Sequence, residues 1–142
     1  MYILKNMFDI ISKENVKFKL QHIYSKKEVL NVNASDGKFH GTALQYASLE
    51  GHIGIVELLL ANGVDINASG CERSGNALQC ASGGGHEGVV RLLLAKGVDV
   101  NAQGKYGDAL QQASCAGHEG VVQLLLAKGA DVNAQGEDSD AL

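Results

Sequence analysis

The sequence lacks the features that mark several functional classes. No apolar run approaches the roughly 20 residues needed to span a bilayer. Met1 to Ile11 interrupts its apolar residues with Lys5 and Asp9. It has no clean apolar stretch and no small-residue cleavage site, which argues against a secretory signal. The Lys-rich stretch that follows also carries Glu14 and Glu28, against an acid-poor transit peptide. There are three cysteines, Cys71, Cys80 and Cys115, an odd number with no CxxC pair. Neither a zinc site nor a disulfide framework finds support in that pattern. A reducing, intracellular setting is expected, with the cytoplasm as the compartment. Proline is absent altogether. What remains is ordinary: 142 residues, 45% hydrophobic and 20% charged, enough for one soluble domain with a core.

The net charge of −4 is unevenly spread. Residues 1–36 hold six Lys and four acids, a net of +2, whereas residues 37–142 hold six basic and twelve acidic residues, a net of −6. An acidic segment repels phosphates and anionic lipid surfaces, so neither nucleic acid nor membrane is an expected partner.

Internal periodicity is the dominant signal. Gly51-His52, Gly85-His86 and Gly117-His118 recur at spacings of 34 and 32. The triplets Leu58–Leu60, Leu92–Leu94 and Leu124–Leu126 keep the same spacings, as do Gly63, Gly97 and Gly129. Ala43-Leu44, Ala77-Leu78, Ala109-Leu110 and Ala141-Leu142 mark four successive starts. Each unit reads as helix, turn, helix, loop. In the third, Asp108 is placed to cap a short helix over Ala109–Ala116, because its carboxylate accepts from orphan N–H groups. Gly117 ends that helix, and a second runs over about residues 118–128 to Gly129. The second helix is apolar around too much of its circumference for a one-sided surface helix. It suits burial by its own partner and by both neighbouring units. One unit alone cannot bury its leucines, so the stack is the stable object.

With these residues in view, the units resemble ankyrin repeats. The segments GHEGVVRLLLAKGVDVNA (85–102) and GHEGVVQLLLAKGADVNA (117–134) carry the likeness most closely. It covers about residues 37–142, as three full repeats and the start of a fourth. The resemblance implies an all-α solenoid of stacked helix-turn-helix units with β-turn fingers. It also implies protein binding through the concave surface made by fingers and inner helices. The Gly-Asn-Ala-Leu-Gln style of residues 75–79 is similar to arrays in large fungal proteins, often at the C-terminus of nucleotide-binding, immune-like receptors.

Four departures from the family pattern stand out. Thr42-Ala43-Leu44-Gln45, Asn76-Ala77-Leu78-Gln79 and Asp108-Ala109-Leu110-Gln111 replace the usual Thr-Pro-Leu-His opening. Proline is missing. The second helices carry Gly54, Gly88 and Gly120 where Glu is common, each at a cost of up to about 1 kcal/mol in helix propensity. The first two fingers are longer: Asn33 to Gly41 and Asn67 to Gly75 span eight positions, Asn101 to Gly107 six.

Residues 1–36 do not match the repeat. Met7, Phe8, Ile10 and Ile11 suggest one helix, and Val16, Phe18, Leu20 and Ile23 another. Asn31-Val32-Asn33-Ala34 then resembles the later Asp-Val-Asn-Ala loops. This segment is expected to be a degenerate N-terminal capping repeat, followed by repeats over 37–70, 71–104 and 105–136. Residues 137–142 begin a further repeat. With no C-terminal cap after it, Leu124–Leu126 are expected to be partly exposed. The sequence is then a fragment, a truncated product or one half of a self-association through that repeat.

Several residues invite a chemical reading. His52, His86 and His118 fall one per repeat, about 10 Å apart in a stack, too far to share a metal whose ligands lie near 2 Å. They read as structural, and no metal or cofactor is expected. Gln45, Gln79 and Gln111 occupy the family's structural His position, where an amide can bridge backbone groups across repeats. Cys80 and Cys115 lack the activating partner a nucleophile needs, and Cys80 reads as core. Ser82-Gly83-Gly84-Gly85 lacks the Lys-Ser/Thr of a phosphate loop and ends a helix rather than following a strand. No catalytic constellation is present, and the protein is not expected to be an enzyme.

Positions that vary between near-identical units are free for recognition. In the fingers these are Lys38, Phe39 and His40, then Cys71, Glu72, Arg73 and Ser74, then Lys105 and Tyr106. At the inner-helix ends they are Leu49, Glu50, Gly83, Gly84, Cys115 and Ala116. Phe39, Arg73 and Tyr106 are of the types that most often anchor interfaces. The Leu…Asp-Ile/Val-Asn pattern at Asn67, Asn101 and Asn133 resembles sites modified by an asparaginyl hydroxylase in animal ankyrin repeats. The function expected is a protein-interaction module, part of a larger receptor or scaffold. The alternative is a structural spacer or self-association repeat with no specific partner.

Overall fold

The computed structural model describes residues 43–69 and 75–133. Six helices follow in order: α1 (Ala43–Leu49), α2 (Ile53–Ala61), α3 (Ala77–Gly84), α4 (Glu87–Ala95), α5 (Ala109–Ala116) and α6 (Glu119–Ala127). No strand occurs among the described residues. The expected capping repeat over 1–36, the start of a repeat at 137–142 and the finger residues 38–40 and 71–74 lie outside them.

Each odd helix pairs with the even one after it. The hairpins stack so that α1, α3 and α5 form an inner row and α2, α4 and α6 an outer one. The inner row packs closely because its core positions are small. Ala47, Ala81 and Ala113 are fully buried between neighbours. The outer row supplies bulk, with Leu59, Leu93 and Leu125 all fully buried. The layers enclose one continuous apolar core from Ala43 to Leu125.

Local chemistry sets the helix bounds. At the start of α3, the Asn76 side chain accepts from the Gln79 N–H at 2.9 Å, and the Gln79 side chain accepts from the Asn76 N–H at 2.6 Å. Asp108 and Gln111 repeat this reciprocal box before α5, with both bonds at 2.8 Å. The expected helix over Ala109–Ala116 is therefore observed with its expected cap. At the far end of α3, Gly85 turns left-handed at φ 75°. Its N–H donates to Ser82 O at 3.2 Å, and the next N–H, of His86, donates to Ala81 O at 3.0 Å. This closure requires a residue free of a Cβ penalty and explains a stop without proline.

A Cβ on Gly120 would meet the Glu87 carboxylate, and one on Gly88 would press Ile53 Cδ1 at 3.3 Å. Both are ends of exposed, flexible side chains that can turn aside, so these contacts do not by themselves require glycine.

One expectation needs refining. Of the last leucine triplet, Leu125 is fully buried and Leu126 is exposed. Leu125 belongs to the continuous apolar core, and Leu126 does not. Leu93, central and fully buried, reports directly on stacking. Leu93→Ala is expected to lower unfolding free energy by about 2–5 kcal/mol in urea denaturation. An unchanged midpoint would count against a load shared between hairpins.

Candidate functional site

The surface in question is built from finger loops at one end of the inner helices and the helix termini at the other. The third finger is fully described. Gly104 N–H donates to Gly107 O at 3.2 Å, and Gly107 N–H donates back to Gly104 O at 3.0 Å. This closed turn holds Lys105 and Tyr106 at its tip, both exposed, with Tyr106 52% accessible.

The root of that finger is tied to the preceding inner helix. Gln79, 1% exposed, donates its amide N–H groups to Ala102 O at 2.8 Å and Gly107 O at 3.1 Å. Gln45 does the same one repeat earlier, donating to Ala68 O at 2.9 Å and to Gly75 O. The Gln79 side chain thus closes its own helix start with Oε1 and holds the next finger with Nε2. The bridge expected of these glutamines is therefore present at Gln45 and Gln79.

The opposite edge is tied by histidine. His86 Nε2 lies 2.8 Å from Leu49 O, and His118 Nε2 lies 3.1 Å from Gly83 O. A carbonyl only accepts, so Nε2 carries the proton in each bond. Each ring covers the turn glycine of the preceding repeat, where a Cβ on Gly51 would meet His86 and one on Gly85 would meet His118. The histidines thus join repeats. Among the described residues no cluster of three His, Cys, Asp or Glu could hold a metal ion.

Beside the finger roots the loop asparagines form a third tie. Asn67 Oδ1 accepts from Asp99 N–H at 2.9 Å, and Asn101 Oδ1 accepts from Asp131 N–H at 2.8 Å. Asn101 Nδ2 also donates to Gly129 O at 3.2 Å. Asp65, Asp99 and Asp131 each accept from the N–H two residues on, fixing the loop that presents the asparagine.

The candidate recognition residues separate into two rows. Lys105 and Tyr106 stand at a finger tip. Leu49, Glu50 and Cys115 are exposed at the C-terminal ends of α1 and α5. An eight-residue inner helix, about 12 Å long, separates the rows. Gly83 and Gly84 are half-buried on the middle repeat and leave the surface shallow there. Lys38, Phe39, His40, Glu72, Arg73 and Ser74 lie outside the described residues. Cys80 is buried, in keeping with a core role.

Two residues between the rows escaped the sequence reading. Tyr46 and Gln112 are half-buried and share a helix face with Leu49-Glu50 and Cys115-Ala116 by i, i+3 and i+4 spacing. The register 46, 80, 112 reads Tyr, Cys, Gln. It varies as much as the finger tips do, which was the available signal.

Comparison with known families fits this construction. A family model described as ankyrin repeats in three copies matches residues 68–136, and a single ankyrin repeat matches residues 40–70. The chain belongs to the ankyrin repeat family. Ankyrin repeats are generally protein–protein interaction modules and generally non-enzymatic. No curated protein matches the chain. Among the described residues of this ankyrin protein, no helix is long and apolar enough to cross a membrane.

The glutamine bridge gives a test of the joint. Gln79→Ala removes one helix cap and two cross-repeat bonds, leaving backbone groups unpaired in a buried place. The expected loss is roughly 2–4 kcal/mol in urea denaturation. Asn76→Ala, which removes only the cap, should cost about 1 kcal/mol.

Proposed function

We propose that this ankyrin protein binds a protein partner through the concave surface of fingers and inner-helix ends. We place it inside the cell, in the cytoplasm, as part of a larger receptor or scaffold. The repeats divide at 37–70, 71–104 and 105–136, behind a capping repeat over 1–36. The observation that carries the reading is the third finger. Its tip exposes Lys105 and Tyr106, while its base is closed on itself and anchored by Gln79. A tip held in place before contact loses little conformational freedom on binding. An exposed tyrosine on such a tip is a common interface anchor. From their place in the repeated sequence alone, Phe39 and Arg73 are assigned the same role in the other fingers. Leu49, Glu50 and Cys115 line the opposite edge, with Tyr46 and Gln112 between the two rows.

The joints of the fold are spent on the stack and are not counted as recognition residues. Gln45, Gln79, His86, His118, Asn67 and Asn101 all engage a neighbouring repeat. Recognition is left to positions the stack does not use.

The test pairs two variants, each checked for native stability. Phe39→Ala/Arg73→Ala/Tyr106→Ala is expected to weaken capture of a lysate partner by about tenfold or more. Arg91→Ala, on the outer row, is expected to leave it unchanged. Equal loss from both variants, or from neither, would move the reading to a spacer without a specific partner.

A second proposal concerns oxygen addition at Asn67, Asn101 or Asn133, all exposed. The side chains of Asn67 and Asn101 brace the next repeat, so modification at either has to open that bond. Peptide mapping of native protein is expected to find added oxygen at one or more of the three. The absence of added oxygen at all three sites would end the proposal.

A further inference from the structure

Two of the three outer helices close on a cation. Lys96 ends α4 and Lys128 ends α6, each followed by a glycine. The first repeat departs from this, because α2 closes on Asn62, followed by Gly63. It is the one Asn-Gly pair in the sequence. We propose that Asn62-Gly63 is a site of spontaneous deamidation, slowed by the helix end it closes, and that its reaction loosens the joint between the first and second repeats. The inference is independent of which partner the concave surface binds.

The chemistry needs no enzyme. The Gly63 nitrogen attacks Asn62 Cγ, and an N–C bond closes a five-membered succinimide. The side-chain nitrogen leaves as ammonia, taking the Gly63 N–H proton. Water then opens the ring at either carbonyl, leaving aspartate or isoaspartate. Water is the only co-reactant, and Asn62 and Gly63 are both exposed to it. Glycine suits the step because no side chain shields its nitrogen. Nothing lies within 4 Å of a Cβ built on Gly63.

The folded chain keeps the reacting groups occupied. Asn62 Nδ2 donates to Leu58 O at 2.7 Å, drawing the side-chain amide back along α2. Gly63 N–H donates to Leu60 O at 3.2 Å. Asn62 sits at φ −98° and ψ 16°, which turns the Gly63 nitrogen away from the side chain. Ring closure has to break both bonds and rotate this backbone, so it proceeds from an opened helix end. Helix ends lie at the low end of the scale of local opening free energies.

The product cannot restore the closure. A carboxylate only accepts, and so does Leu58 O. The new negative charge falls at the C-terminal end of α2, where the aligned peptide dipoles already favour a cation. Isoaspartate also adds a methylene to the main chain, immediately before Gly63 and Val64. Val64 is buried, and its N–H donates to Leu59 O at 3.3 Å. The same loop carries Asn67, whose Oδ1 accepts from Asp99 N–H at 2.9 Å in the next repeat. A shift at position 62 therefore reaches a bond that joins two repeats.

The test incubates the full chain at neutral pH, folded and in urea, and maps position 62 for aspartate and isoaspartate. Product is expected in both, forming roughly tenfold or more slowly in the folded chain. No product from the folded chain over several weeks, or the same rate in both, would overturn the proposal. Asn62→Asp carries the product's charge on an unaltered main chain. It is expected to lower the urea midpoint and to speed amide exchange at Asp99 by about threefold or more. Asn62→Lys, the residue type of the other two helix ends, should give no product at that position and leave the Asp99 exchange unchanged. An unchanged midpoint and unchanged Asp99 exchange, in both Asn62→Asp and the aged chain, would overturn the effect on the joint.

Discussion

A buried side-chain amide shared between one repeat and the next is the joint on which this structure depends. Gln79 accepts from its own helix start with one end and holds the next finger with the other. Glutamine can do both because its carboxamide is acceptor and donor at once and its stem is long enough to reach. Buried at 1% exposure, it leaves no room for water to substitute. Helix capping and finger placement are therefore one event. A finger in this protein is anchored to the body of the array before any partner arrives.

Three ties of different chemistry run along the stack at different depths. The glutamine amides hold the finger roots, the asparagines hold the loops that lead into them, and the histidines hold the helix–helix turns. Each joins neighbouring repeats alone, as expected of a quasi-one-dimensional architecture. The same division separates structure from recognition. Residues that recur at 34 and 32 spacings are spent on the joints, and residues that differ between units are exposed at the tips and helix ends.

Much of this was legible beforehand. The helix over Ala109–Ala116 and its Asp108 cap followed from local rules, and the cross-repeat role of Gln45 and Gln79 from their place in the repeat. The spacing predicts a second helix over about 118–128, and it runs Glu119–Ala127 with His118 and Lys128 as its flanking caps. Tyr46 and Gln112 lie within the inner helices, where only the packing shows which side chains stay half-exposed. The fate of Leu124–Leu126 was only half legible. Periodicity said the triplet would lose cover but not which leucine would keep it, because that depends on the direction of each side chain from its helix.

What the sequence alone determined is whatever is encoded locally and repeated: the unit length, the caps, the glycine stops, the apolar face and thus the family. Those features rest on interactions within a few residues, or on identical neighbours, so one unit read correctly stands for all. What only the tertiary structure decided is where non-repeating residues fall relative to one another. It put Lys105 and Tyr106 at one edge and Leu49, Glu50 and Cys115 at the other, and left Gly117 bare while covering Gly51 and Gly85. Position across a stack is set by the neighbouring unit, and a spacing along the chain carries no record of what lies over a residue in space.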